Sequence, residues 1–193
     1  MYALVENNTI TKYFSYPKGF TLGDLQYPAD IFTKWSVEEK KAIGIHEVVF
    51  DNSNFKDEQW YINTNQSFAF ANGTVTASYG TATAKAHADV TETINGVELT
   101  TPGLKTNLIK NLKTNVANEL AKTDWYITRN TEKSTAIPSA ISTHRDAVRT
   151  KQASMETAIT NASDTLAIEA LYTYTTTDGV QSRPLGELPV LES

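Results

Sequence analysis

The sequence predicts an α+β fold: a small β-rich N-terminal domain with a short helix, followed by a C-terminal antiparallel helical hairpin. Three observations predict it. Before residue 101, short apolar runs alternate with polar residues and are separated by Asn-containing turns. A capping box, Ser36-Val37-Glu38-Glu39, marks one helix inside that region. From Leu104 the period changes, and Leu104, Leu108, Leu112, Val116 and Leu120 recur at every fourth position.

In chain order, Tyr2 to Val5 and Ile10 to Phe14 flank Asn7-Asn8 and read as a hairpin, because Asn tolerates positive φ. The stretch holding Pro17, Gly19, Gly23 and Pro28 reads as loop. The capping box opens a helix to Ile43, with Gly44 at C′, and Ile45 to Phe50 reads as a strand. Gln59 to Phe70 alternates loosely, and Asn72-Gly73 is a hairpin turn. Thr74 to Ala84, small and Thr-rich, is expected to bury little. Asn95-Gly96 between Thr91–Ile94 and Val97–Thr100 marks another hairpin within a polar arm.

Pro102-Gly103 opens the leucine-periodic helix. Trp125 to Thr128 reads as a short extended link with an aromatic plug at the bend. Pro138 suits N1 of a second long helix to about Asn161, and Ser163 is the expected N-cap of a helix over 164–172. A Thr-Asp-Gly-Val turn follows at Thr177, and Pro184 and Pro189 argue for an extended, weakly ordered end. The domains drawn are thus 1–70 (β-rich), 71–101 (β-hairpin and polar linker arm), 102–172 (helical hairpin) and 173–193 (extended tail).

Composition narrows the function. The 193 residues carry a dispersed net charge of -5, with a pI near 5.2, which argues against nucleic acid as a partner, since phosphate binding needs clustered Lys and Arg. No run approaches the roughly 18 apolar residues of a membrane span. The opening residues have no basic n-region, so a signal peptide is not expected and a cytoplasmic product is. Asn7, Asn72 and Asn161 head Asn-X-Ser/Thr triplets, read as chance matches.

The expected cofactor is none, and the expected metal is none. Cysteine is absent, and His46, His87 and His144 have no second ligand at metal spacing. His144-Arg145-Asp146 imitates a catalytic-loop tripeptide but lies inside a helical pattern. No Gly-rich phosphate loop or nucleophile elbow occurs, so no catalytic residue and no enzyme activity are expected. Lys105, Lys110, Lys113 and Lys122 read as a solvated helix face.

Trp, Tyr and Arg dominate interface energetics because they combine large buried area with directed hydrogen bonds. Trp125, Tyr126, Arg129, Arg145 and Arg149 concentrate these types around the bend and are the candidate partner-binding residues. Arg145 and Arg149, four apart, are expected to share one helix face. The competing reading has Trp125 as a plug and both arginines solvated. The second helix has a thin apolar stripe, which leaves self-association through the helices open.

Two blocks resemble a known family. Met1-Tyr-Ala-Leu-Val-Glu-Asn-Asn-Thr-Ile-Thr-Lys, with Trp35-Ser-Val-Glu-Glu and Gly44-Ile45, looks like the opening domain of bacteriophage tail-fibre assembly proteins. Asp124-Trp125-Tyr126, Arg129, Glu132, Ile137-Pro138, Arg145 and Arg149 are similar to the helical segment that closes such proteins. The resemblance implies a chaperone that binds the phage tail-fibre protein and assists its folding and trimerisation without ATP, in the host cytoplasm during phage assembly. The alternative it implies is a structural virion component, a baseplate or fibre-attachment protein. The arm at 80–100 and the tail after Leu171 resemble nothing in the family.

Overall fold

The computed structural model describes residues 1–191. It is a mixed α+β chain, about 36% helix and 28% strand. It divides into two compact units, Met1–Thr83 and the chain from Ala84 onward. The boundary therefore falls beyond the expected one at residue 70, because the Asn72-Gly73 hairpin belongs to the first unit's sheet.

The first unit opens with β1 (Tyr2–Glu6) and β2 (Thr9–Phe14), joined by Asn7 and Asn8, whose φ values of 50° and 62° are those of a tight hairpin. The stretch read as loop contains a second small hairpin, β3 (Phe20–Leu22) and β4 (Leu25–Tyr27). Its strands are three residues each, too short to leave a periodic signal. A single helical turn, α1 (Ile31–Lys34), precedes α2 (Val37–Ala42). The capping box forms as expected. The Glu39 amide donates to Ser36 Oγ at 3.1 Å, and the Ser36 amide donates to Glu39 Oε2 at 2.8 Å.

Then come β5 (Ile45–Asp51), β6 (Tyr61–Ile62), β7 (Ser67–Ala71), β8 (Thr74–Ser78) and, at the unit boundary, β9 (Thr83–Ala84). The main sheet has the order β2-β1-β5-β8-β7. All neighbours are antiparallel except β5 and β8, which run parallel. The sheet curls until its two edge strands touch, with the Tyr13 and Phe68 rings 4.8 Å apart.

Alternate residues of β1 serve opposite faces. Leu4 joins Phe14, Phe20, Ile31, Phe32 and Ile45 in one cluster, and Ala3 and Val5 join Val48, Val75 and Ala77 in the other. This overturns the expectation that β8 buries little: Val75 and Ala77 are fully buried. Because β8 lies between β5 and β7, small side chains are what the closed interior of the curl accommodates.

In the second unit, β10 (Val90–Ile94) and β11 (Val97–Thr101) form an isolated two-stranded ribbon, followed by α3 (Leu104–Ala121), α4 (Asp124–Lys133), α5 (Ser139–Asn161), α6 (Thr165–Tyr172) and the small hairpin of β12 (Thr175–Thr177) and β13 (Val180–Ser182). Leu112 and Val116 of α3 pack against Val148, Met155 and Ile159 of α5. Of the periodic leucines, Leu108 and Leu120 pack partly buried against this cluster and Leu104 lies outside it.

Three expectations fail here. Trp125 to Thr128 is helical, not extended. The N-cap of α6 is Asp164, whose Oδ1 accepts from the Ala167 amide at 2.8 Å, and not Ser163. The tail after Pro184 does not trail away. Leu185 is buried in the α3–α5 cluster, and its amide donates to Leu171 O at 3.0 Å. Proline removes a donor but does not stop the next apolar side chain from packing.

Candidate partner-binding site

Aromatic and β-branched residues make Trp125–Thr128 look like a strand, but the chain folds it into α4. Asp124 carries a negative charge at the helix N-terminus, where the dipole favours it. Trp125 and Arg129 are four apart, so one helical face holds both. Helix α4 ends at Ser134, in left-handed conformation with φ 54°, whose amide donates to Asn130 O at 2.8 Å.

The helix builds a compact stack. The Trp125 and Tyr126 ring centroids are 4.1 Å apart. The Arg129 guanidinium lies 4.5 Å from the Trp125 centroid and 5.3 Å from that of Tyr126. Trp125 is 52% exposed and Ile127 is 38% exposed, and no residue of α4 is buried. Trp125 is thus not a plug in the bend; it is an ordered aromatic facing solvent.

The other two candidates lie elsewhere and do different work. Arg145 is buried. Its Nη1 donates to Leu120 O at 2.8 Å, to Thr123 Oγ1 at 2.7 Å and to Asp124 Oδ1 at 2.8 Å. It therefore ties α5 to the C-terminal end of α3, where unpaired carbonyls and the helix dipole favour a cation. Arg149 is exposed and pairs with its helix neighbour Asp146, with Nη1 3.3 Å from Oδ1. Arg145 and Arg149 lie one turn apart on the same side of α5, but a four-residue step leaves them about 40° apart, and only Arg145 is buried while Arg149 stays exposed.

Sequence reasoning missed the anchor residues Thr123 and Asp124, and a second polar contact beside them. His144 Nε2 lies 3.3 Å from Glu119 Oε1, both side chains largely buried. Lys122 also pairs with Glu119, and that hydrogen bond, more than His144, holds the Glu119 carboxyl below its usual range against the opposing effect of burial. Only the placement of α5 on α3 brings these residues together, so no local signal could have found them.

The site offers two rings tilted at 37° to each other, with one cation beside them. Among the described residues no group of three His, Asp or Glu side chains could hold a metal ion, and no helix is long and apolar enough to cross a membrane. No protein-family model, curated protein or solved structure matches the chain.

Proposed function

We propose that this chain is a phage tail-fibre assembly protein: a non-catalytic, ATP-independent chaperone that binds the fibre protein in the host cytoplasm and assists its folding and trimerisation. The observation that carries the reading is the Trp125–Tyr126–Arg129 cluster, in which Trp125 is half-exposed and the other two are partly buried. An ordered, half-exposed tryptophan beside a second ring and a guanidinium is the residue set that anchors protein interfaces. In this reading α3 and α5 are the arms of an antiparallel hairpin that presents α4. Two contacts support that arrangement: Arg145 to Leu120 O at one end, and Lys105 Nζ to Thr160 O at 2.8 Å at the other. A trimeric fibre is long, β-rich and slow to find register, so its nascent chains expose edges that need cover.

Coexpression with the fibre protein, followed by mass spectrometry of purified virions, tests the reading. A chaperone raises the yield of soluble fibre trimer and is scarce in virions. Presence in virions at fixed copy number, with no effect on fibre solubility, would make it a structural tail component instead.

A further inference from the structure

Four arginines occur in the chain, at positions 129, 145, 149 and 183. Three of them carry a carboxylate. Arg145 pairs with Asp124, Arg149 with Asp146 and Arg183 with Glu187. Arg129 differs: among the described residues no carboxylate pairs with it. Its contacts go to rings instead, 4.5 Å from the Trp125 centroid and 5.3 Å from that of Tyr126.

That setting holds the guanidinium and leaves its charge uncompensated. Arg129 is partly buried, and its Nε is sealed from water with no hydrogen-bond partner. The two Nη groups donate to no protein acceptor and are not sealed in that way, so the outer end of the fork faces the surface. A guanidinium is planar and always charged, and its paired N–H groups match the two oxygens of a carboxylate. Stacking on the rings restricts the side chain before any ligand arrives, which lowers the entropy that binding costs. A cation that has lost part of its hydration and has no counter-ion gains more from a nearby anion than a fully hydrated one does.

We propose that Arg129 receives a carboxylate of the partner, carried by an aspartate or glutamate whose apolar neighbours pack on the half-exposed Trp125 ring. Charge complementarity chooses this occupant. Glu132 and Lys133, close to one turn further along α4, are both exposed and cancel in charge. The site therefore presents a single net cation. That is enough for one carboxylate and short of the clustered Lys and Arg that phosphate binding needs. The inference rests on the reading of α4 as the fibre-binding surface and adds the chemistry of what α4 takes from the fibre.

Titration of the full chain with the peptide acetyl-Leu-Glu-Leu-amide, and separately with its Gln counterpart, tests it. The readouts are the NMR signals of the Trp125 indole N–H and the Arg129 Nε–H, followed into the millimolar range. The Glu peptide is expected to shift both signals saturably, and the Gln peptide to bind about tenfold more weakly, a difference of about 1.4 kcal/mol. Arg129→Lys keeps the charge and loses the fork, so it is expected to weaken the Glu peptide while thermal melts confirm that the variant folds. Equal binding of the two peptides, or no response to either, overturns the proposal. An equal response to inorganic phosphate overturns the choice of a carboxylate. Co-purification with the fibre protein separates this inference from the reading beneath it. Binding of the Glu peptide without capture of the fibre protein keeps the carboxylate site and removes the fibre as its source. Capture by Arg129→Gln equal to that by the unmodified chain keeps the fibre reading and removes the carboxylate site.

Discussion

Arg145 Nη1 lies 2.8 Å from the carbonyl oxygen of Leu120, so a buried guanidinium on α5 caps the end of α3. The same nitrogen serves Thr123 and Asp124, where α4 begins. One side chain thus fixes the turn from which the aromatic stack projects. A residue type that usually recognises partners is here spent on internal order, which leaves Arg145 out of the candidate partner-binding surface.

Arg145→Ala is expected to destabilise the chain by about 1–3 kcal/mol, because it removes a buried charged donor that bonds Leu120 O, Thr123 Oγ1 and Asp124 Oδ1 together. Arg149→Ala is expected to stay within about 0.5 kcal/mol, as exposed substitutions do. Urea denaturation of both variants checks the contrast, and equal effects would contradict the capping role.

Gly44 follows α2 with φ +78°, and a Cβ there would meet the Val5 carbonyl oxygen at 2.4 Å. That oxygen is backbone in β1 and cannot swing aside, since the Val5 amide also donates to Gly44 O at 2.8 Å. Gly44→Ala is expected to cost more than the roughly 1–2 kcal/mol that left-handed backbone imposes on an L residue. Gly73, with φ +73° and nothing within 4 Å of a built Cβ, isolates the conformational part. The difference between the two Ala variants in chemical denaturation measures the clash.

Local signals were legible and long-range ones were not. Asn7-Asn8, Asn72-Gly73, Asn95-Gly96 and the Ser36–Glu39 box each specify their structure within four residues, and each forms. The leucine periodicity of α3 is similarly self-contained. What failed depended on partners distant in sequence. The burial of Val75 and Ala77 follows from a parallel pairing with β5 across more than twenty residues. The burial of Leu185 follows from α3 and α5. Of the candidate site, the closeness of Trp125, Tyr126 and Arg129 was readable from their spacing. The inward turn of Arg145 was not, because its acceptors become acceptors only when α3 ends beside it.

His46 is buried on β5, with its ring 4.9 Å from that of Phe70. Burial lowers its pKa below the ordinary 6.5, the nearby Lys41 charge adds to this, and a hydrogen bond with the Gly73 backbone opposes it. The unfolded chain therefore takes up this proton first as pH falls. The stability contributed is full above pH 6.5 and is lost as pH drops through that value toward the lower folded pKa. His46→Gln is expected to flatten this slope. Denaturant midpoints at neutral and mildly acidic pH check it, and an unchanged slope would exclude His46 as the cause.

The α4 stack makes the last prediction. Trp125 is 52% exposed and touches Tyr126 and Arg129, neighbours on its own helix. An exposed cation–π contact is worth about 0.5–1 kcal/mol, so Trp125→Ala with Arg129→Ala is expected to shift the melting temperature only slightly. Binding should respond differently. Loss of an aromatic anchor at the centre of an interface costs about 2 kcal/mol or more, enough to abolish co-purification with the fibre protein. Arg145 variants are no substitute in this experiment, because they disturb the scaffold that positions α4. The informative result is a fold that melts normally and no longer captures its partner. Capture unchanged by the double substitution would remove α4 from the interface, and a large fall in melting temperature would mean that Trp125 supports the fold after all.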